Sequence, residues 1–184
     1  MFNRILDQAR RHERDVAGFL RDLIAIKSVS SQEEAVIHRV QREMIASGYD
    51  EVRIDPMGNI LGRIGHGPRV LALDAHVDTV DVGNPANWTI DPFKGEERDG
   101  IIYGRGACDM KGALASIVYG GRIIKELGLE GACTLWVVGS VQEEDCDGLC
   151  WQYIINEDGL RPEAVVITEP TNLAIYRGHR GRME

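Results

Sequence analysis

The chain has 184 residues, is 43% hydrophobic and carries a formal net charge of −8. That length and apolar content suffice for one sizeable core and suggest one domain, while the acidic balance argues against a binder of nucleic-acid backbones, which presents a basic face. The opening MFNRILDQARRHERD is too charged for a secretory signal and no apolar stretch approaches bilayer length, so a cytoplasmic protein with no membrane partner is expected.

Val16, Phe19, Leu20, Leu23 and Ile24 recur at helical spacing. Ser30 and Glu33 read as a capping box that opens a second helix ahead of Val36, Val40 and Met44. After Gly48 the stretches EVRID and NILGRI are β-like, and Pro56, Met57 and Gly58 between them suit a hairpin connection. VLALDAHV has the continuous apolar character of a strand buried on both faces, as in parallel sheets. From Asp81 to Asp99 runs a long loop containing Pro85, Trp88, Pro92, Phe93 and Gly95. Loops of that length are usually functional or disordered, and the aromatics argue against disorder. A helix is expected from Met110 to Leu127, with Leu114, Ile117, Val118, Ile124 and Leu127 on one side and Gly128 as its stop. TLWVVGSV and AVVIT are further strands, separated by a helix around Leu149 to Ile155. Strands alternating with helices imply an α/β fold with a mainly parallel mixed sheet flanked by helices.

Cys108, Cys133, Cys146 and Cys150 are expected to be reduced thiols in a core-rich chain with no export signal. Cys146 and Cys150 lack the CxxC spacing and no second Cys/His pair answers them, so a structural role is favoured over a zinc or redox site.

Acidic residues and one histidine follow the apolar runs: His76 and Asp78 after VLALDA, Asp109 after IIYGRGAC, Glu143 and Glu144 after LWVVGSVQ, Glu169 after AVVIT. Ligands of open α/β sheets bind beyond the carboxyl ends of the strands, which is where all these clusters are expected. His76 and Asp78 leave the same face of an extended segment, so the carboxylate either orients the imidazole or binds a metal directly. One imidazole with several carboxylates suits zinc, cobalt or manganese. Glu143 and Glu144 at a regular strand end would point to opposite sides, one binding metal and the other taking a proton. Taken singly, an HxD or an EE pair is usually ordinary surface; four clusters at the ends of strand-like runs are much harder to dismiss.

Gly104 and Gly106 around Arg105 permit a tight backbone path beside the site. A GxGxxG phosphate loop would need glycine where Asp109 stands, which argues against a dinucleotide cofactor. Lys111 reads as a substrate contact or as a solvated residue of a helix's first turn, and Cys108 has no partner histidine close in sequence that would make it a nucleophile.

The segments HVDTVDVG (76 to 83), DPFKGEERDGIIYGRGACDMKGALAS (91 to 116), QEED (142 to 145) and TEPTNLAIYRGHRGR (168 to 182) resemble the di-zinc aminoacylase, acetylornithine deacetylase and succinyl-diaminopimelate desuccinylase family of peptidases. Within it, GSVQEEDCDGLCWQYI is similar to the selenium-metabolism-linked hydrolases. The resemblance implies a metal-dependent amidohydrolase with two divalent ions, zinc first and cobalt or manganese as alternatives, acting on a small N-acyl amino acid or peptide-like amide. It implies that His76 binds the first metal with Asp78 holding its imidazole, that Asp109 bridges both ions, that Glu144 binds the second and that Glu169 completes the first. Glu143 is implied as the general base that activates a metal-bridging water and passes its proton to the leaving amine.

Residues 1–176 would then be the N-terminal part of a zinc-exopeptidase-like catalytic domain, and 177–184 the start of a lid and dimerisation domain through which the complete protein forms a homodimer. Family members continue beyond the GHRG segment and supply a late histidine for the second metal and the oxyanion donors, whose loss costs about 10²–10³ in rate. The chain is therefore expected to be incomplete, with an unpaired sheet edge, exposed apolar surface and marginal stability. The alternative to an active amidohydrolase is an incompetent piece of one that binds one metal or pairs with a complementary chain. His179, in the GHRG segment, is not expected to replace the missing ligand.

Overall fold

The computed structural model describes residues 1–178. Its helices are α1 (Phe2–Arg11), α2 (Glu13–Ala25), α3 (Glu34–Ala46), α4 (Lys111–Leu127) and α5 (Leu149–Asn156). Its strands are β1 (Glu51–Ile54), β2 (Ile60–Ile64), β3 (Arg69–His76), β4 (Glu96–Arg98), β5 (Ile101–Tyr103), β6 (Cys133–Ser140) and β7 (Ala164–Ile167). The main sheet has the order β1-β2-β6-β3-β7. β2 pairs antiparallel with β1 and β6, whereas β3 pairs parallel with β6 and β7, so β2 alone runs against the other strands. The mainly parallel mixed α/β sheet expected from the sequence is the one observed.

Period-two alternation sends strand residues to two cores. Ile60, Ile64, Ala75 and Val137 face a large cluster with residues of α2, α3 and α4, among them Leu23, Val40, Met44 and Leu114. Leu61 and Val138 face the other way, onto Ile154 of α5 and Leu160. Each fully buried Val, Leu or Ile contributes about 1.5–3 kcal/mol, so helices on both faces are what hold the sheet's apolar strands out of water. Gly128 closes α4 with φ +61°, a left-handed cap that costs glycine little.

Four local expectations need correction. Ser30 and Glu33 do not form a capping box: Glu33 is the N-cap of α3, but no side chain bonds the helix's first amides. Both side chains are spent elsewhere, on Asp78 and Gln142. Lys111 is neither solvated nor a substrate contact. It is 1% exposed, and its ammonium donates to the carbonyls of Leu23 and Ile26 at 2.9 and 2.8 Å, capping the end of α2. Burial pushes its pKa down to about 8. Lys111→Met leaves both carbonyls without that donor, and a loss of about 2–3 kcal/mol in stability is expected by urea denaturation.

The third correction concerns the apolar run IIYGRGAC. Its Ile101–Tyr103 stretch is no strand of the main sheet but pairs with β4 in a separate two-stranded sheet, where the long loop was expected to end. The fourth is α1, which buries no residue and was not anticipated. The expected apolar edge is present: Val166 and Ile167 of edge strand β7 are exposed. Among the described residues no helix is long and apolar enough to cross a membrane.

Candidate metal centre

The parallel register builds one edge of the centre. His76, the last residue of β3, pairs with Ser140, the last of β6, so the chain beyond each strand leaves the sheet at the same level. Asp74 pairs with Ile167 of β7, which brings Glu169, two residues further on, to the same place. Asp109 arrives differently: it lies in the turn ahead of α4, not beyond a strand of the main sheet. Gly106 in that turn has φ +79°, and a Cβ there would lie 2.8 Å from Thr79 Cγ2. The tight path expected of this glycine is therefore observed. Arg105 donates to the Asp81 carbonyl at 3.1 Å and lies over Trp88, tying the long loop to the same edge.

All the expected ligands converge on the His76 imidazole, which is 2% exposed. Its Nε2 lies 3.1 Å from Asp109 Oδ1, 3.7 Å from Glu169 Oε1 and 3.8 Å from Glu143 Oε2. Two triads present ligand atoms within 4.8 Å of one another, His76 with Glu143 and Glu169, and His76 with Asp109 and Glu144. His76 Nδ1 faces the main-chain carbonyl of Asp78 at 2.9 Å, with the Asp78 carboxylate further away at 3.4 Å. A proton on Nδ1 directed at those acceptors leaves Nε2 of the neutral ring open to bind a metal.

The Asp78 carboxylate is fully buried and does more than face the imidazole. It accepts from Ser30 Oγ at 2.7 Å and from the backbone N–H groups of Glu143 and Glu144 at 3.2 and 3.1 Å. Burial acts to raise its pKa, but His76, Ser30 and the Glu144 amide outweigh burial and hold it below the ordinary value. Glu143 and Glu144 do not sit on a regular strand end. β6 stops at Ser140, and Gln142 turns the chain with φ +58°, a left-handed conformation that costs a non-glycine residue of order 1–3 kcal/mol. The turn, not strand alternation, sets their different surroundings: Glu143 joins the triad of Glu169, and Glu144 that of Asp109.

The electrostatics call for a cation. Burial, with the negative charges of Glu169, Asp147 and Glu144, pushes the Glu143 carboxyl up to about 7 against the opposing pull of His76. Burial likewise raises Glu144 and Glu169. At His76 burial acts downward, but Asp78, Glu143 and Glu169 overcome it and push the imidazole up to about 9. Protons on these groups offset a charge excess that a divalent ion would neutralise in their place. An imidazole nitrogen and carboxylate oxygens form the donor set of borderline ions such as zinc, cobalt and manganese, so the residues present fit such a group.

No cysteine belongs to either triad, and all four cysteines are free, Cys146 exposed and Cys150 buried. His179 and the rest of the 177–184 segment past Gly178 lie outside the described residues. Sequence reasoning missed Ser30 and Glu33 as supports of the centre. Their spacing imitates a helix cap, and the only local hint was a serine and a glutamate ahead of an apolar helix.

Comparison with known proteins identifies the family and the fold. The sequence model described as Peptidase family M20/M25/M40 matches residues 72–178. The protein YgeY of Escherichia coli K12 is 58% identical over 183 residues, covering 100% of this chain and 45% of its own length. A probable succinyl-diaminopimelate desuccinylase of Staphylococcus aureus Mu50 is 33% identical, covering 97% of this chain and 40% of its own. The chain thus spans under half the length of these relatives. Human carnosine dipeptidase 1 superposes with a TM-score of 0.78 at 18% identity, over 91% of this chain and 41% of that one. The YXEP protein of Bacillus subtilis, described as a dinuclear metal binding peptidase, superposes with a TM-score of 0.65 at 19% identity, over 86% of this chain and 43% of that one. At such identities the two structures speak for the fold alone.

Proposed function

The chain belongs to Peptidase family M20/M25/M40, and on that premise we propose that it carries the metal centre of a hydrolase that cleaves an amide bond in a small N-acyl amino acid or peptide-like substrate. The observation that carries this reading is one buried imidazole ringed by Asp109, Glu143, Glu144 and Glu169. His76, Asp109 and Glu169 would hold one divalent cation, and Asp109 with Glu144 a second, zinc being the first choice and cobalt or manganese the alternatives. The cations supply Lewis acidity and a water that is nucleophilic near neutral pH.

The chain's own residues do the rest. Glu143, half-buried among like charges, would take a proton from the attacking water and return it to the leaving amine. Asp78 fixes the imidazole from behind and holds the backbone of the turn that carries Glu143 and Glu144. Beside Glu144 opens a cavity of about 340 Å³ lined by Val29, Thr79, Val80, Asp81 and Asp145 among others, space for a small substrate. The name of the Staphylococcus aureus relative supports an acyl group as what is removed. For the complete protein we propose a cytoplasmic homodimer.

A second reading, one ion per chain without catalysis, is favoured by the second ion's short supply of ligands among the described residues, Asp109 and Glu144. Equilibrium dialysis against zinc with metal analysis separates the readings. At least one tightly held ion per chain is expected, two would rule out the one-ion reading, and none would overturn the metal centre itself.

The pKa directions add a second test. In the metal-free chain Glu143 and His76 are both raised, to about 7 and about 9. Their contributions to stability are therefore full below their unfolded values and are lost as pH rises through those folded values. Cobalt(II) or manganese(II) is expected to raise Tm more at pH 8 than at pH 5.5, where protons compete for the same atoms. Equal gains at both pH values would contradict this.

A further inference from the structure

Three consecutive backbone N–H groups in the turn after β6 are each accepted by a carboxylate. Glu143 and Glu144 donate to Asp78, and Gln142 donates to Glu33 Oε1 at 3.0 Å. Successive amides gathered in this way form an anion-binding concavity, here filled by the protein's own carboxylates. Asp78 and Glu33 are 0% and 6% exposed, so all three amides meet a buried carboxylate.

Glu33 stands apart from the metal-binding triads, and it does not cap the helix it begins. Its partner is the residue whose left-handed backbone sends the chain back toward His76. The other restraints nearby act on either side of that point: Asn59 Oδ1 accepts from Val141 N at 3.0 Å, and Cys146 N donates to the Gln142 carbonyl at 3.0 Å. The outer side of the turn borders a groove of about 720 Å³ lined by Glu33, Ile37, Ile54, Met57 and Gln142 among others. The Glu33 bond is thus what restrains the Gln142 amide toward open space.

We propose that Glu33 is a positioning residue, whose carboxylate locks Gln142 in its left-handed conformation and so sets where Glu143 and Glu144 stand relative to His76. This rests on the metal centre proposed above and extends it to a residue that touches neither metal nor substrate. Outer partners that orient ligands typically matter by about 10–100-fold in metal affinity.

The test compares wild type, Glu33→Gln, Glu33→Leu and the double variant Glu33→Leu/Gln142→Gly. Zinc affinity is read by chelator competition, and the backbone by amide hydrogen exchange on the metal-free chain. Glu33→Gln keeps an oxygen acceptor and is expected to stay within a few-fold of wild type. Glu33→Leu is expected to weaken zinc binding about 10–100-fold and to lose exchange protection at Gln142, Glu143 and Glu144 together, with protection in β3 and α4 unchanged. The double variant is expected to recover part of the affinity, because glycine adopts the left-handed conformation without an anchor. Wild-type affinity and protection in Glu33→Leu would overturn the proposal, as would a double variant no better than the single. If wild type binds no zinc the metal reading fails, and the exchange comparison by itself then decides the role of Glu33.

Discussion

Changing Glu143 to glutamine is expected to lower amide hydrolysis by the protein that carries this chain by about 10²–10⁴-fold, the usual worth of a positioned general base, while the amount of bound metal stays close to normal. Glutamine preserves the shape and the backbone N–H that Asp78 accepts, so the turn keeps its anchor. It removes the ability to take and return a proton, along with the negative charge that helps raise His76. Nothing in the assignment of His76, Asp109, Glu144 and Glu169 as ligands depends on that proton. The measurement is initial rate on an N-acyl amino acid beside metal content on the same sample. A variant that loses its metal along with its activity would make Glu143 a ligand, which its place in the triad of His76 and Glu169 allows geometrically. A variant of unchanged rate would sink the base assignment.

His76→Ala is expected to weaken zinc binding by more than about 100-fold, beyond the 10–100-fold typical of outer partners. His76 is the one nitrogen donor common to both triads, and the surrounding carboxylates are arranged about its Nε2. Removing it takes away the softest ligand, the imidazole nitrogen about which those carboxylates gather. Chelator competition reads the affinity, and circular dichroism checks that the sheet survives. Affinity within a few-fold of wild type would show that the centre does not depend on the imidazole.

The strands were legible because their signal is local. VLALDAHV and TLWVVGSV are largely apolar since helices cover both of their faces, and EVRID and NILGRI are short and joined by residues that favour a turn. The helix from Lys111 to Leu127 was legible from its apolar period and its terminal glycine. The same local reasoning failed at Lys111, whose position in a first turn looks solvated until α2 is seen to end above it. It failed at Ser30 and Glu33 for a related reason. A side chain's partner in sequence and its partner in space are different choices, and spacing reports only the first. α1 did leave a trace, Phe2, Ile5, Leu6 and Ala9 at helical spacing, but that stripe buries no residue.

Residue order alone put forward the candidate donors: one histidine and several carboxylates beside apolar runs, a set that suits a divalent metal. Tertiary structure decided how those donors meet. The parallel pairing of β3 with β6 and β7 brought His76, Glu143 and Glu169 to one level. The turn before α4 delivered Asp109 by a route no strand reading anticipated, and two buried carboxylates, Asp78 and Glu33, bent the Gln142–Glu144 backbone back to the centre. Pattern along a chain encodes which groups leave water together. Which atom faces which depends on strand register and on where buried amides find acceptors, and both are settled only when distant segments pack.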